Sequence, residues 1–377
     1  MMKYIEELKE KELAGKKVLL RGDLDVPAAG NKIREPFRII AQKQTLDYLV
    51  NCGAKVLLVA HISAIDSFLP IAEAVGELLG HVLTVVPHNE LRTVGGLFVA
   101  SPVLLLDNIR QDAREETNGD TLAVELAKGF DYYVNNAFAV SHRQHASVSA
   151  ITKHLPSYAG LQIKKEIERL TRALEAPAAG KVLVLGGAKI ATKLPVIKNF
   201  IGKAEKILIG GAIANNFFKA NGIKIGASVV DDSVATGLTS SQDVRLPGDI
   251  LITDDKSGQG TVCESKVRNI EDKELVVDIG PETAQDFAEI ILNSELVIWN
   301  GPMGLSEVTA FANGTAKIAQ AVAAAKYSII GGGDTIAAVD KLGLLAEFDF
   351  VSTGGGAMLS FLAGEKLPGL EALGYYN

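Results

Sequence analysis

Gly186-Gly187-Ala188-Lys189-Ile190-Ala191-Thr192-Lys193-Leu194-Pro195 is the densest chemical signal in the chain. Two lysines four residues apart follow a glycine pair that ends an apolar run. Ammonium groups beside unshielded backbone N–H groups can neutralise a polyphosphate and follow a phosphoryl group as it moves. Two solvated lysines on an ordinary turn would look the same in isolation. The Gly-x-x-x-x-Gly-Lys-Ser/Thr spacing of a P-loop is absent. With Thr192 as a helix cap, Pro195 falls in the first helical turn, where its missing N–H costs little.

Two further glycine turns follow apolar runs: Gly331-Gly332-Gly333-Asp334-Thr335 and Ser352-Thr353-Gly354-Gly355-Gly356-Ala357. Asp334 is a hard oxygen ligand suited to Mg²⁺ on a nucleotide, and Thr335 offers a hydroxyl to a phosphate oxygen. The plain alternative is a helix N-cap by either residue. The last turn carries no charge, and tight strand–helix packing explains it equally well. Trp299-Asn300-Gly301-Pro302-Met303-Gly304-Leu305-Ser306-Glu307 also follows an apolar run. There Asn300 would reach a phosphate and Glu307 a ribose hydroxyl, or the segment is a turn with a capping glutamate. Glycine turns collected on one sheet edge would build this half around phosphate.

The first half carries different chemistry. Arg21-Gly22-Asp23-Leu24-Asp25-Val26-Pro27 puts two carboxylates one residue apart at a strand end, and Arg38 opens the next predicted helix. Arg110 follows the run Val103–Leu106, and Ser141-His142-Arg143-Gln144-His145 follows the run at Tyr132. All six histidines precede residue 161, and after residue 177 only Arg245 and Arg268 remain of the arginines. Guanidinium forks suit phosphates and carboxylates, so this half is expected to hold a small anionic substrate at the carboxyl edge of a sheet. Each of these residues alone is as readily a surface ion pair.

The elements that must position these groups alternate along the chain. Short β-branched runs and longer amphipathic stretches imply parallel sheets wrapped by helices, an α/β class. Expected strands are Val18–Leu20, Ala54–Ala60, Val82–Val86, Val103–Leu106 and Tyr132–Asn135, then Val182–Leu185, Lys206–Ile209, Ile250–Thr253, Leu296–Trp299, Tyr327–Ile330 and Phe350–Ser352. Expected helices include Phe37–Val50, Thr121–Lys128, Glu282–Leu292 and Ala316–Ala325. At 377 residues the chain exceeds one ordinary core, so two domains are expected. Their limits fall at 1–160 and 178–363, with a linking helix at 161–177 whose end is marked by Pro177 and Gly180.

Composition narrows the function classes. A net charge of −7 argues against general nucleic-acid binding. Cys52 and Cys263 give neither a metal spacing nor a disulfide framework. No apolar run approaches membrane-spanning length and the first residues lack an apolar leader, so a cytoplasmic protein is expected. Monomer is the default. No Gly-x-Gly-x-x-Gly with a ribose-binding acid supports a dinucleotide oxidoreductase.

Taken in order and over nearly the whole chain, these motifs resemble the phosphoglycerate kinase family. The ordered set is Arg21–Pro27, Gly186–Lys189, Trp299–Pro302, Gly331–Thr335 and Ser352–Ala357. The resemblance implies two Rossmann-like parallel-sheet domains joined by a hinge helix, with the tail 364–377 returning to the first domain. It implies transfer of a phosphoryl group between 1,3-bisphosphoglycerate and Mg-ADP, giving 3-phosphoglycerate and ATP. Asp23, Asp25, Arg38, His61, Arg110 and Arg143 would then line the phosphoglycerate site. Gly186, Lys193, Gly210, Asn300, Pro302, Glu307, Gly332, Gly333, Asp334 and Thr335 would hold the nucleotide, with Asp334 on the magnesium. Arg38 and Lys189 would clamp the moving group, helped by N–H groups near Gly333 and Gly355. The competing class is a non-catalytic or repurposed nucleotide-binding protein on the same scaffold.

Three motifs depart from the family pattern. The first motif's Asp-x-Asn is Asp23-Leu24-Asp25 here, which adds a negative charge. The His-Leu-Gly-Arg-Pro segment is His61-Ile62-Ser63-Ala64-Ile65, which lacks a phosphate-binding arginine. Asn-Asp-Ala-Phe is Asn135-Asn136-Ala137-Phe138, which removes a negative charge nearby and is expected to offset Asp25 in part.

Overall fold

The computed structural model describes residues 1–99, 101–231, 238 and 241–376. It forms two compact units, Met1–Glu168 with Lys366–Asn377, and Arg169–Glu365. The boundary falls inside the helix Leu161–Glu175.

In the first unit six strands pair in parallel, in the spatial order Thr84–Val86, Val103–Leu106, Lys55–Val59, Lys17–Arg21, Tyr132–Asn135, Ser157–Ala159. Central strands such as Lys17–Arg21 and Lys55–Val59 are buried almost throughout, because helices cover both faces of a parallel sheet. Leu20, Leu58, Leu105, Leu46 and Val75 belong to one apolar cluster on this sheet. The C-terminal segment packs within the same unit: the Gly369 N–H donates to the Ser141 carbonyl at 2.8 Å.

The expected helix Phe37–Val50 is two helices, Phe37–Ile40 and Lys43–Asn51. Gln42 causes the break. Its backbone N–H reaches only the Ile39 carbonyl, while its side-chain amide takes the Arg38 carbonyl at 3.0 Å. The strand Ser157–Ala159 escaped the sequence pattern because its three residues, between Pro156 and Gly160, contain no β-branched side chain.

The second unit orders its six parallel strands Val244–Arg245, Lys206–Ile209, Lys181–Leu185, Leu296–Asn300, Ser328–Gly331, Phe350–Ser352. In sequence terms this is third, second, first, fourth, fifth, sixth, the order of a doubly wound nucleotide-binding sheet. The direction of winding reverses between Lys181–Leu185 and Leu296–Asn300. The carboxyl ends of that pair carry Gly186-Gly187 and Gly301-Pro302. Trp299, Val184, Ile330 and Ile318 pack together in the core of this sheet.

Ile250–Thr253 was expected in the parallel sheet and is not there. It forms part of the strand Asp249–Thr253, which lies between Cys263–Lys266 and Leu275–Ile279 in a separate antiparallel sheet. The connecting segments are too short for helical crossovers, which parallel pairing requires.

Candidate active site

At the carboxyl edge of the first sheet, Arg21 is fully buried and organises its surroundings. Its Nε donates to Ser147 Oγ at 2.8 Å and its Nη2 to His61 Nδ1 at 3.2 Å. A guanidinium only donates, so Nδ1 accepts and the His61 proton sits on Nε2. Nε2 lies 3.3 Å from Asp25 Oδ2, and the other Asp25 oxygen accepts the Ser63 N–H at 2.8 Å. Burial raises the Asp25 carboxyl, but the His61 and Ser63 bonds outweigh it and hold the group well below the usual carboxylate range. Burial pushes His61 down, Asp25 pulls it up, and the Arg21 guanidinium opposes that pull.

Around this chain stand the other expected cations. Arg38 Nη1 donates to the Asp25 carbonyl at 3.0 Å, and its Nε lies 3.8 Å from Asp23 Oδ2. Arg110 Nη1 donates to Ser63 Oγ at 2.9 Å and its Nε lies 3.3 Å from Glu116. Burial lowers Arg110, and Arg143 pushes in the same direction. Burial and then Arg21, Arg143, Arg110 and His61 push His145 down to about 4. His142 is lowered by burial and Arg143. Burial is the largest cause of each of these shifts, and the neighbouring cations add to it.

Several buried polar atoms here have no hydrogen-bond partner, among them Asp23 Oδ2, Arg110 Nη2 and Asn135 Nδ2. Buried polar groups are normally satisfied, so such a cluster marks a place for a polar ligand. An acceptor at Asp23 suits a hydroxyl, and the donors suit a carboxylate or phosphate.

Asn136 does not face the arginines. Its amide donates to Gln42 Oε1 at 2.8 Å, and its oxygen accepts from Thr45 Oγ1 at 2.8 Å and from the Gln162 N–H at 2.9 Å. The side chain is a buried junction between three elements, so the expected electrostatic compensation of Asp25 does not come from it.

In the second unit the first glycine turn differs from expectation. The Gly186 N–H donates to the Asn300 carbonyl at 3.0 Å and the Gly187 N–H to the Pro302 carbonyl at 2.7 Å. These N–H groups stitch two strand ends together and do not form an open nest. A Cβ at Gly186 would strike the Pro302 and Gly301 carbonyls, which is why glycine is required. Gly210 is a packing residue of the same kind, with Met303 where a Cβ would go.

The helix after this turn is Ile190–Phe200, flanked by Lys189. Thr192 therefore lies inside it and does not cap it; its hydroxyl donates to the Lys189 carbonyl at 2.9 Å. Pro195 accordingly sits in the helix interior, beyond the first turn. Lys189 is exposed, whereas Lys193 is only 6% exposed. Burial pushes the Lys193 ammonium down to about 8, with Asp334 pulling it up and Lys189 pushing it further down.

Gly332 has φ +101° and begins the helix Gly333–Lys341, so neither Asp334 nor Thr335 is its N-cap. The first N–H groups of that helix lack intrahelical acceptors and face the space beyond its end. Asn300 is 4% exposed, its Nδ2 has no partner, and a Cβ on Gly332 would lie 3.1 Å from it. Gly355 begins the helix Gly355–Leu362, and a Cβ there would lie 3.2 Å from the Gly332 Cα. Two helix N-termini are thus brought side by side.

A cavity of about 750 Å³ opens beside these turns. Gly187, Pro302, Glu307 and Asp334 line its polar side, and Phe218 and Leu275 its apolar side. An apolar slot next to helix N-termini and lysines fits a base attached to a polyphosphate. Among the described residues no cluster of three His, Cys, Asp or Glu could hold a metal alone. A divalent ion at Asp334 would therefore draw most of its oxygen ligands from the nucleotide, as Mg²⁺ commonly does.

The sequence argument placed Arg21, His142 and His145 within its motifs but gave them no individual role, and it did not single out Asp278. The clue for Arg21 was available, a charged residue closing an apolar strand. Asp278 lines the cavity at 2% exposure and offered no such clue, because its strand was not expected.

A family model described as phosphoglycerate kinase matches residues 8–365. The phosphoglycerate kinase of Dictyoglomus turgidum is 40% identical, with 98% of each chain covered. That of Moorella thermoacetica is 38% identical over 97% of this chain and 98% of the relative. Among solved structures, phosphoglycerate kinase from Coxiella burnetii aligns with a TM-score of 0.82 and 32% identity, covering 100% of both chains. Phosphoglycerate kinase from Pyrococcus horikoshii OT3 aligns with a TM-score of 0.86 and 31% identity over 99% and 98%. With the sheet order, the glycine turns and the cation cluster already in place, these matches lead to one conclusion: the chain belongs to the phosphoglycerate kinase family.

Proposed function

We propose that the chain catalyses reversible phosphoryl transfer between 1,3-bisphosphoglycerate and ADP, giving 3-phosphoglycerate and ATP. The observation that supports this most is the set of buried atoms without a hydrogen-bond partner, Asp23 Oδ2, Arg110 Nη2 and Asn135 Nδ2, among the arginines of the first sheet. They match an acid that carries a hydroxyl, a carboxylate and a phosphate.

In the direction of ATP use, a carboxylate oxygen of 3-phosphoglycerate attacks the γ-phosphorus in line. The new acyl O–P bond forms as the bond to the β-phosphate oxygen breaks, and its electron pair leaves with ADP. The carboxylate is already ionised, so no general base is required. Catalysis is then positioning and neutralisation of charge on the transferred group. Arg38 and Lys189 are assigned the neutralising role, and the N–H groups at Gly333 and Gly355 the role of fixed dipoles. Arg110 and Arg143 hold the acid, with His61 behind them, its two ring nitrogens taken by Arg21 and Asp25; Lys193, Asn300 and Thr335 hold the phosphates; Glu307 the ribose. Asp334 would hold a magnesium ion, which when bound offsets charge on the nucleotide phosphates.

A monomer in the cytoplasm, acting on small molecules and not on nucleic acid, completes the proposal. Net charge −7 supports the absence of a nucleic-acid partner, and two free cysteines fit a reducing compartment. Among the described residues no helix is long and apolar enough to cross a membrane.

The decisive assay is ATP consumption dependent on 3-phosphoglycerate, run beside Arg38→Ala and Lys189→Ala. Each substitution is expected to lower kcat roughly 10²–10³-fold, as for loss of a donor to transition-state charge. ATP binding with no turnover in the unsubstituted protein would reject the proposal.

A further inference from the structure

Two departures from the family pattern, the carboxylate at Asp25 and the serine at Ser63, are physically joined. The Ser63 N–H donates to Asp25 Oδ1 at 2.8 Å, while its hydroxyl accepts from Arg110 Nη1 at 2.9 Å. The family pattern has glycine at position 63, which supplies no hydroxyl, and arginine at position 64, where this chain has Ala64.

Arg110 needs an aiming device here. Its ion-pair partner Glu116 is exposed and meets only Nε. Arg143 repels the guanidinium, and burial weakens its hydration. The remaining nitrogen, Nη2, is buried without a partner. Fixing Nη1 on Ser63 therefore fixes where Nη2 points, because the guanidinium fork is planar and rigid. His61 and Asp25 brace the serine through its backbone N–H.

We infer that Ser63 is a positioning residue that holds Arg110 toward the phosphate of the acid substrate, in compensation for the arginine that Ala64 lacks. This rests on the assignment of that substrate to the Asp23–Arg110–Arg143 site.

Steady-state kinetics of Ser63→Ala, Ser63→Thr, Arg110→Ala and the double variant Ser63→Ala/Arg110→Ala test it. Ser63→Ala is expected to raise KM for 3-phosphoglycerate roughly fivefold, the scale of one lost hydrogen bond, with kcat and KM for ATP altered less than about twofold. Ser63→Thr, which keeps the hydroxyl, should restore KM. The double variant should be no weaker than Arg110→Ala alone, because the serine acts only through that arginine. If Arg110→Ala raises KM but Ser63→Ala does not, or if the two effects add in full, the role of Ser63 is overturned while the site stands. If Arg110→Ala leaves KM unchanged, the site assignment falls and the inference with it.

Discussion

The hydroxyl of Thr335 accepts the backbone N–H of Gly301 at 2.7 Å. This bond ties the turn after Leu296–Asn300 directly to the helix that follows Gly331-Gly332. Thr335 is fully buried, and its own hydroxyl hydrogen is still able to donate. Thr335→Val keeps the shape and removes the acceptor, leaving the Gly301 N–H buried and unsatisfied. The expected cost is about 1–3 kcal/mol of stability with a raised KM for ATP. Thr335→Ser should retain both properties. Urea unfolding and ATP kinetics check this, and a valine variant with unaltered ATP binding would refute the coupling.

Lys193 carries a pH dependence. Burial brings its ammonium to about 8, so free protein loses that charge as pH rises through 8. A bound polyphosphate favours the charged form and must restore the proton. ATP affinity is therefore expected to decline above pH 8, with proton uptake on binding. Lys193→Gln should bind ATP roughly tenfold more weakly at pH 7 and show no further decline. Calorimetric titrations from pH 7 to about 9.5 decide it; parallel profiles for the two proteins would place the titrating group elsewhere.

Much of this was legible in the sequence because strand ends and glycine turns are local signals. Lys181–Leu185 followed by Gly186-Gly187 announces a buried strand and a tight turn without any knowledge of its neighbours. What those glycines do was not legible: the Gly187 N–H meets Pro302, more than a hundred residues away, so an apparent anion nest is a stitch between strands. The helix start at Ile190 in place of Thr192 and the break at Gln42 turn on single local hydrogen bonds, to the Lys189 and Arg38 carbonyls, that hydrophobic periodicity does not register. The antiparallel placement of Asp249–Thr253 was hidden because its partner Cys263–Lys266 is largely exposed and carries little apolar pattern. Asn136 differs from the family by one amide, and only its contacts with Gln42, Thr45 and Gln162 show that the change is structural.

Two other departures, Ala64 and Asp25 at the carboxyl edge of the first sheet, lead to unequal expectations. Ala64 is exposed, and Ala64→Arg adds a guanidinium to an already cationic edge without disturbing a buried bond. It is expected to lower KM for 3-phosphoglycerate about three- to tenfold. Asp25→Asn removes a negative charge but leaves one acceptor oxygen for two donors, His61 Nε2–H and the Ser63 N–H. Its amide then faces one of them, so the gain in KM should be smaller and accompanied by about 1 kcal/mol of lost stability. Kinetics with thermal melts test both; an Ala64→Arg protein with unaltered KM would remove the electrostatic argument.

Asp278 is expected to make the second unit less stable as pH rises. Burial lifts its carboxyl to about 7, against the pull of hydrogen bonds from the Gly314 N–H at 2.7 Å and the Ile279 N–H at 2.9 Å. In an unfolded chain the group titrates near ~3.9. Between these values the folded protein holds a proton that the unfolded chain releases. Its contribution to stability is therefore complete below about pH 4 and lost as pH rises through 7. Asp278→Asn keeps an acceptor for Gly314 and cannot ionise. Urea unfolding at pH 5 and pH 8 should show the unsubstituted protein losing roughly 2–4 kcal/mol relative to the variant over that interval. A constant difference between the two proteins at both pH values would mean that Asp278 is ionised throughout, held by its two N–H donors in spite of its burial.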